Sequence, residues 1–273
     1  MQQPLEAVIF DWAGTIVDFG SFAPTQIFVD AFRTAFAFDL SLAEARGPMG
    51  LGKWQHIEAL GQHPEVRARW VAQFGRPMGE TEVRHIYETF IPLQQERVGL
   101  HSDLIPGALE VVQQLRQSGF KIGSTTGYPR AVMETLIPLA AAKGYAPDCV
   151  VCADDLAAGA RPGPWMALDC VQQLKINAVR LCVKVDDTAP GIAEGVSAGM
   201  WTVGLALSGS PAGITLEEFR SLPPEQLQAV RERVSTELKA AGAHFVIDTV
   251  AELPALLPEI QARVARGESP SAI

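Results

Sequence analysis

The sequence is poor in the features that mark many kinds of partner. No run of Lys or Arg exceeds two residues, and the net charge is −9. Nucleic acid and anionic membranes are bound through clustered positive charge, so neither is an expected partner. No stretch approaches the ~18 consecutive apolar residues of a membrane span. The first residues, Glu6 and Asp11 among them, lack the basic segment and long apolar core of a secretory signal. Cysteine is scarce, with Cys149, Cys152, Cys170 and Cys182 the whole set. Cys149 and Cys152 have CxxC spacing, but no second pair or neighbouring His completes a zinc site. In a strand those two thiols point to opposite faces, so they read as buried structural thiols of a cytoplasmic protein.

One further absence is chemical. In "VIFDWAGTIVDFG", residues 8–20, an apolar run delivers Asp11 into a loop, where it resembles a nucleophile or a metal ligand. Phosphate-ester chemistry wants a second acid two residues on, to protonate the leaving alcohol. Ala13 stands there instead.

What is present fits an α/β protein with a real core, since 273 residues with 24 glycines are neither fibrous nor too short to bury one. Apolar runs at Ala7–Phe10, Lys121–Ser124, Cys149–Cys152, Leu181–Val185, Trp201–Ala206 and His244–Ile247 read as buried parallel strands. Helical stretches such as Ala108–Gln117, Ala131–Lys143 and Pro164–Leu174 lie between them, which predicts a doubly wound, Rossmann-like parallel sheet. The interval 22–103 breaks the alternation. It has no convincing strand but helical patterns at Pro24–Phe36, Leu42–Arg46, Trp54–Leu60, Pro64–Phe74 and Thr81–Glu96. This predicts an inserted all-helical cap, 22–103, over an α/β core made of 1–21 and 104–273, above the C-terminal strand ends where such sheets bind ligands. The tail "RGESPSAI" reads as frayed.

The chemistry-bearing residues follow the strands in order. Asp11 ends the first, and Ser124, Thr125, Thr126 and Gly127 end the second, just before a helix whose N-terminus can cradle an oxyanion. The third is followed by Asp154, Asp155 and Arg161, the fourth by Asp186 and Asp187. Any one of these acids could simply cap a turn or helix, and Arg161 alone could be a surface ion-pair residue. Carboxylates from separate strand ends suggest a hard divalent cation, Mg²⁺, held with waters and substrate oxygens. Arg161 suits a bidentate grip on the other oxygens.

The order of "DWAGT", "STTG", "ARPGP" and "VDDT" resembles the four motifs of the haloacid dehalogenase superfamily. Within it, "DWAGTIVDFGSFAP", "GPMGLGKWQHI", "KIGSTTGYPR", "VKVDDT" and "AGMWTVG" resemble the phosphonatases over residues 7 to about 250. The resemblance implies hydrolysis of phosphonoacetaldehyde to acetaldehyde and phosphate during phosphonate (2-aminoethylphosphonate) degradation. It implies Asp11 as the nucleophile that forms an aspartyl-phosphate and Lys53 as the amine that forms a Schiff base with the aldehyde. It also implies His56 as general acid/base and Thr126, Gly127, Arg161, Tyr128 and Met49 around the substrate. The metal would be held by Asp11, the Ala13 carbonyl and Asp187, and the chain would form a homodimer. Two departures stand out. Pro190 and Gly191 occupy the place of a frequent further acid, which Asp186 could replace, and Arg161 stands where Lys is general in the superfamily.

Lys53 supports this role on physical grounds. "GPMGLGK" has P-loop spacing, but Trp54 replaces the required Ser or Thr and no strand precedes it. An unperturbed lysine is neutral in only about one molecule in 2,500 at pH 7. Bringing its pKa near 7.5 takes roughly 4 kcal/mol against the charged form, which burial beside Met49, Trp54 and the turn glycines could supply. His56, one helical turn along, could shuttle protons. The competing readings are a phosphate-monoester phosphatase or sugar-phosphate mutase, both of which want an acid at position 13, and a non-catalytic phosphate-binding module.

Overall fold

A computed structural model describes residues 4–270. The chain begins with β1 (Ala7–Phe10) and then runs through five helices: α1 (Phe22–Phe36), α2 (Leu42–Arg46), α3 (Lys53–Gln62), α4 (Pro64–Phe74) and α5 (Glu80–Arg97). Alternation follows: α6 (Ala108–Gln117), β2 (Lys121–Thr126), α7 (Arg130–Ala142), β3 (Cys149–Cys152), α8 (Trp165–Gln173), β4 (Cys182–Asp186), α9 (Ala189–Ala198) and β5 (Trp201–Leu205). The chain closes with α10 (Leu216–Ser221), α11 (Pro224–Ala240), β6 (Phe245–Ile247) and α12 (Leu253–Ala265).

All six strands pair in parallel, in the order β3-β2-β1-β4-β5-β6. The order reverses between β1 and β4, and at such a switch point the crossovers leave in opposite directions and open a crevice at the strand ends. Phe10 pairs with Val185, so Asp11 and Asp186 emerge side by side there. β2 runs two residues past the expected Ser124, because Thr125 and Thr126 still pair with Val151 and Cys152. α11 leaves little trace in the hydrophobic pattern, since only Val234 and Leu238 of its 17 residues are buried.

The helices between β1 and α6 have their own hydrophobic cluster, with Phe28, Phe32, Phe38, Trp70 and Phe90 at its centre. Their limits follow local rules. Ser41 and Glu44 form a capping box on α2, while α4 starts on Pro64 and ends at Gly75 in the left-handed conformation. Two connections join this block to the sheet, and one buried carboxylate ties them together. Asp18, on the outgoing connection, accepts from the Ala23 amide (2.9 Å) and meets His101 Nδ1 of the returning one at 3.1 Å. The Asp18 amide also donates to the Asp103 carbonyl.

The four cysteines are free and buried, and Cys149 and Cys152 fall in clusters on opposite faces of the sheet. Among the described residues, no helix is long and apolar enough to cross a membrane. Of the tail expected to fray, residues 271–273 lie outside the described residues, and Arg266 Nε bonds Glu268 beyond the end of α12.

Trp70, 2% exposed, packs against Phe32, Phe36, Phe38 and Phe74. Trp70→Ala is expected to cost about 3–5 kcal/mol through the cavity it leaves. Urea denaturation measures this, and a loss below about 1 kcal/mol would contradict the packing described.

Candidate active site

Asp11 follows β1, is 5% exposed, and forms an ion pair with Arg161 Nη2 at 2.8 Å. The same nitrogen lies 3.2 Å from Asp186, and Arg161 Nε meets Glu194 at 2.9 Å. Lys184, two residues before Asp186 on β4, donates to Asp186 (2.8 Å) and to Thr125 Oγ1 (2.9 Å). Thr125 in turn donates to Glu194 at 3.0 Å. Arg161, Lys184, Glu194 and the three aspartates are all buried. Such charges persist in the interior only as a mutually paired set.

The three aspartates differ in what they have left to offer. Asp186 accepts from Lys184, from the Thr188 amide (3.0 Å) and from the Thr188 hydroxyl (2.8 Å), so both its oxygens are engaged. Burial works against its charge, but Arg161 and Lys184 hold its carboxyl below the ordinary range. Asp187 accepts from the Ser210 amide and, at 3.4 Å, from Thr15. Burial, then Asp11 and Asp186, push its carboxyl well up, and burial and Asp186 push that of Asp11 up to about 6. Oxygens of all three lie within 4.8 Å of one another. This is an anionic set short of positive charge, and a hard divalent cation is the species that fits it. Among the described residues Asp11 Oδ2 takes no hydrogen bond and Asp187 Oδ1 has only the long contact to Thr15, so these two can turn to a cation, whereas Asp186 is committed to protein donors.

Gly191 is explained by the same carboxylate. A Cβ there would sit 2.0 Å from the Asp186 carboxyl carbon, so the missing further acid is the space that Asp186 fills. The β2 hydroxyls divide by the strand's alternation and by where it ends. Ser124 donates to the Phe10 carbonyl and Thr125 belongs to the Glu194 network. Thr126, whose hydroxyl accepts from the Tyr128 amide, is the one that lines the cavity. Asp154 and Asp155 stay outside, tied to Arg130.

From the helical block, Lys53 and Met49 close this cavity over Asp11, Ala13, Thr126, Gly127, Tyr128 and Arg161. Closure is tight. A Cβ on Gly127 would lie 2.8 Å from the Leu51 carbonyl oxygen, and the cavity volume is about 20 Å³, room for one water. Lys53 is the first residue of α3, where the helix dipole disfavours a cation, and it is 4% exposed. Its amine lies 4.8 Å from the centroid of Tyr128 and 5.5 Å from that of Phe28. Burial brings its pKa down to about 7 against the pull of Asp11, with Arg161 adding repulsion. Each ring face favours the ammonium by about 2 kcal/mol when desolvated, against the roughly 4–5 kcal/mol that such a shift represents. Desolvation wins.

Trp54 does not supply that desolvation, contrary to the sequence-based expectation. It packs, half-buried, against Tyr87 and Arg84, and the rings over Lys53 come instead from α1 and from the loop after β2. His56 is no surface residue. It stacks on Phe28 at 3.8 Å, and its Nε2 meets the Ala45 carbonyl at 2.9 Å, which assigns the proton to Nε2. Nδ1 is left as a buried acceptor without a partner, and burial together with Lys53 holds the ring neutral.

Fold and site together define a hydrolase of the haloacid dehalogenase type, and the model of the haloacid dehalogenase-like hydrolase family matches residues 5–199. Phosphonoacetaldehyde hydrolase of Vibrio cholerae serotype O1 (strain ATCC 39541) is 59% identical over 270 residues, covering 99% of this chain and 100% of its own. That of Salmonella typhimurium is 58% identical over 266 residues, 97% of this chain and 99% of its own. The crystal structure of a phosphonoacetaldehyde hydrolase-like protein from Oleispira antarctica superposes with a TM-score of 0.95 at 40% identity, covering 98% of this chain and 97% of that one. The chain belongs to the phosphonoacetaldehyde hydrolase family of the haloacid dehalogenase-like hydrolases.

Sequence reasoning misses Lys184 and Glu194, because a lysine in a strand and a glutamate in a helix usually face solvent. Glu194→Ala is expected to cost about 3–5 kcal/mol by removing the buried counter-charge that Arg161 and Lys184 share beside the aspartates. Chemical denaturation measures it, and near-wild-type stability would mean that the other acids suffice.

Proposed function

We propose that this protein hydrolyses the carbon–phosphorus bond of phosphonoacetaldehyde to acetaldehyde and phosphate. The observation that carries the proposal is a buried amine, Lys53, with a pKa brought down to about 7, lining one small cavity with the Asp11 carboxylate and Ala13. The names of the relatives support the same reading.

The aldehyde enters as a carbonyl beside neutral Lys53. The amine adds to it, one proton is taken up from solvent and water leaves, giving a protonated imine that the Tyr128 and Phe28 rings can face as a cation. Asp11 Oδ attacks phosphorus as the C–P bond breaks, and the bonding pair flows into the imine to give an enamine. No proton is needed at the leaving atom in that step, so Ala13 is sufficient where an alcohol would require an acid. Protonation of the enamine at carbon and hydrolysis of the resulting imine release acetaldehyde and restore Lys53. A second water cleaves the aspartyl-phosphate to phosphate. His56, neutral with Nδ1 as its vacant acceptor, suits the proton transfers, while Arg161 and the Thr126–Gly127 turn hold the phosphoryl oxygens. Met49 and Tyr128 exclude water.

Asp11, the Ala13 carbonyl and Asp187 would hold Mg²⁺, with Asp186 orienting Arg161 and Lys184 rather than binding the ion. The ion supplies positive charge that lets an anionic phosphoryl group approach a carboxylate. We further infer a homodimer in the cytoplasm, the latter supported by four free, buried thiols.

Borohydride added during turnover is expected to fix substrate carbon on Lys53, detected as a mass increment on the peptide that contains it. Lys53→Arg keeps the charge but cannot form the imine, and activity retained within about tenfold would refute the role. The pH dependence has a definite sign. Lys53 must be neutral to attack, so kcat/KM should rise about tenfold per pH unit between about 6 and 7, more steeply below that where Asp11 is also protonated, and level off above about 7. A profile flat from pH 5.5 to 8, roughly one unit or more either side of that value, would count against it.

A further inference from the structure

Beside the catalytic cavity, and sharing Met49 and Thr188 with it, lies a second cleft of about 410 Å³ between the helical block and the sheet. One wall carries Arg46, the last residue of α2, and the other carries Arg233 on α11. Glu237, one turn beyond Arg233, is the only carboxylate among its lining residues. Two guanidiniums against one carboxylate make a local positive excess in a chain of net charge −9.

Both arginines have donors to spare. Arg233 Nη2 donates to the carbonyls of Pro211 (2.9 Å) and Ala212 (3.4 Å), neither of which neutralises its charge. Arg46 lies over the Phe22 ring at 5.2 Å, and its Nε is shielded from solvent without an acceptor. A buried N–H is seldom left unmet, and the oxygen of an anion in the cleft would meet it. Gly213 keeps the approach open, since a Cβ there would come within 3.3 Å of Arg46 Nη1.

We propose that this cleft is an anion-binding antechamber, where Arg46 and Arg233 hold the phosphono group of the incoming substrate before it passes Met49. The proposal rests on the reading of the catalytic cavity as a phosphonate site. At about 20 Å³ that cavity is too small for a two-carbon phosphonate to wait inside it. The cleft beside it is roomy and positively charged. Met49 is a suitable partition, because an unbranched thioether can turn aside without moving the backbone. The antechamber makes and breaks no bond. It raises the local concentration of a dianion at the mouth of an otherwise acidic protein.

Steady-state kinetics of the full chain with phosphonoacetaldehyde, from about 20 to 300 mM NaCl, test this, since salt screens such capture. Arg46→Gln and Arg233→Gln should each lower kcat/KM about fivefold, with the loss carried by KM, and flatten its salt dependence. Wild-type KM and salt dependence in both variants, or a loss confined to kcat, would overturn the antechamber. Arg46 packs on Phe22, so Arg233→Gln, at an exposed position, decides the matter if the first variant misfolds. If the wild type fails to turn over phosphonoacetaldehyde at all, the parent reading falls. Calorimetric titration with inorganic phosphate then judges the cleft alone: weaker binding in the two variants supports it and unchanged binding overturns it.

Discussion

The guanidinium of Arg161 is the group on which the site depends. It touches Asp11, Asp186 and Glu194 at once, and with Lys184 it makes the burial of four carboxylates tolerable. These groups come from the ends of β1 and β4, from the loop after β3 and from α9, so none could be held in place by local structure alone. The switch in strand order brings them together, and their shared charge then fixes side chains that would otherwise cost too much to bury. The cluster still leaves Asp11 and Asp187 short of positive charge. That shortage is the functional part, because it reserves a place for a cation and for the group the cation attracts.

The helical block contributes the opposite kind of perturbation. Asp11 is surrounded by charge, whereas Lys53 is deprived of solvent at a helix N-terminus between two rings. The proposed reaction needs both conditions together, an ionised carboxylate and an uncharged amine within one small space. They arise on different hydrophobic clusters that meet at the Gly127–Leu51 seam. Ala13 is meaningful only in that setting. In the proposed reaction the electron sink is on Lys53, and a carboxylic acid at position 13 would find no leaving oxygen to protonate.

Much of the architecture was legible in the sequence because its signals are local. Runs such as Ala7–Phe10 are apolar throughout since both faces of a parallel strand are covered, and helices such as Pro64–Phe74 carry their own start and stop residues. Asp11, Arg161 and Asp187 were readable as strand-end residues in a fixed order. Lys184 and Glu194 were not, since partners that permit their burial lie far along the chain: Glu194 pairs with Arg161, and Lys184 donates to Thr125. Trp54 misled for a similar reason. A helix has two sides, and which one faces Lys53's surroundings is decided by Phe28 and Tyr128, which lie outside that helix. Gly191 looked like a lost acid until the side chain occupying its space was known.

The joint at Asp18 bears on how the site can open. Both crossings between the helical block and the sheet are bound to that one residue, through Ala23 and the Asp18 amide on one side and His101 and Asp103 on the other. Two tethers fastened at a common point favour turning over sliding, since sliding would break both. An opening movement about that joint would carry Lys53 along an arc rather than across the site. An amine that must meet a carbon while a carboxylate meets the neighbouring phosphorus has little tolerance for lateral error, and a pivot is the joint that suppresses it.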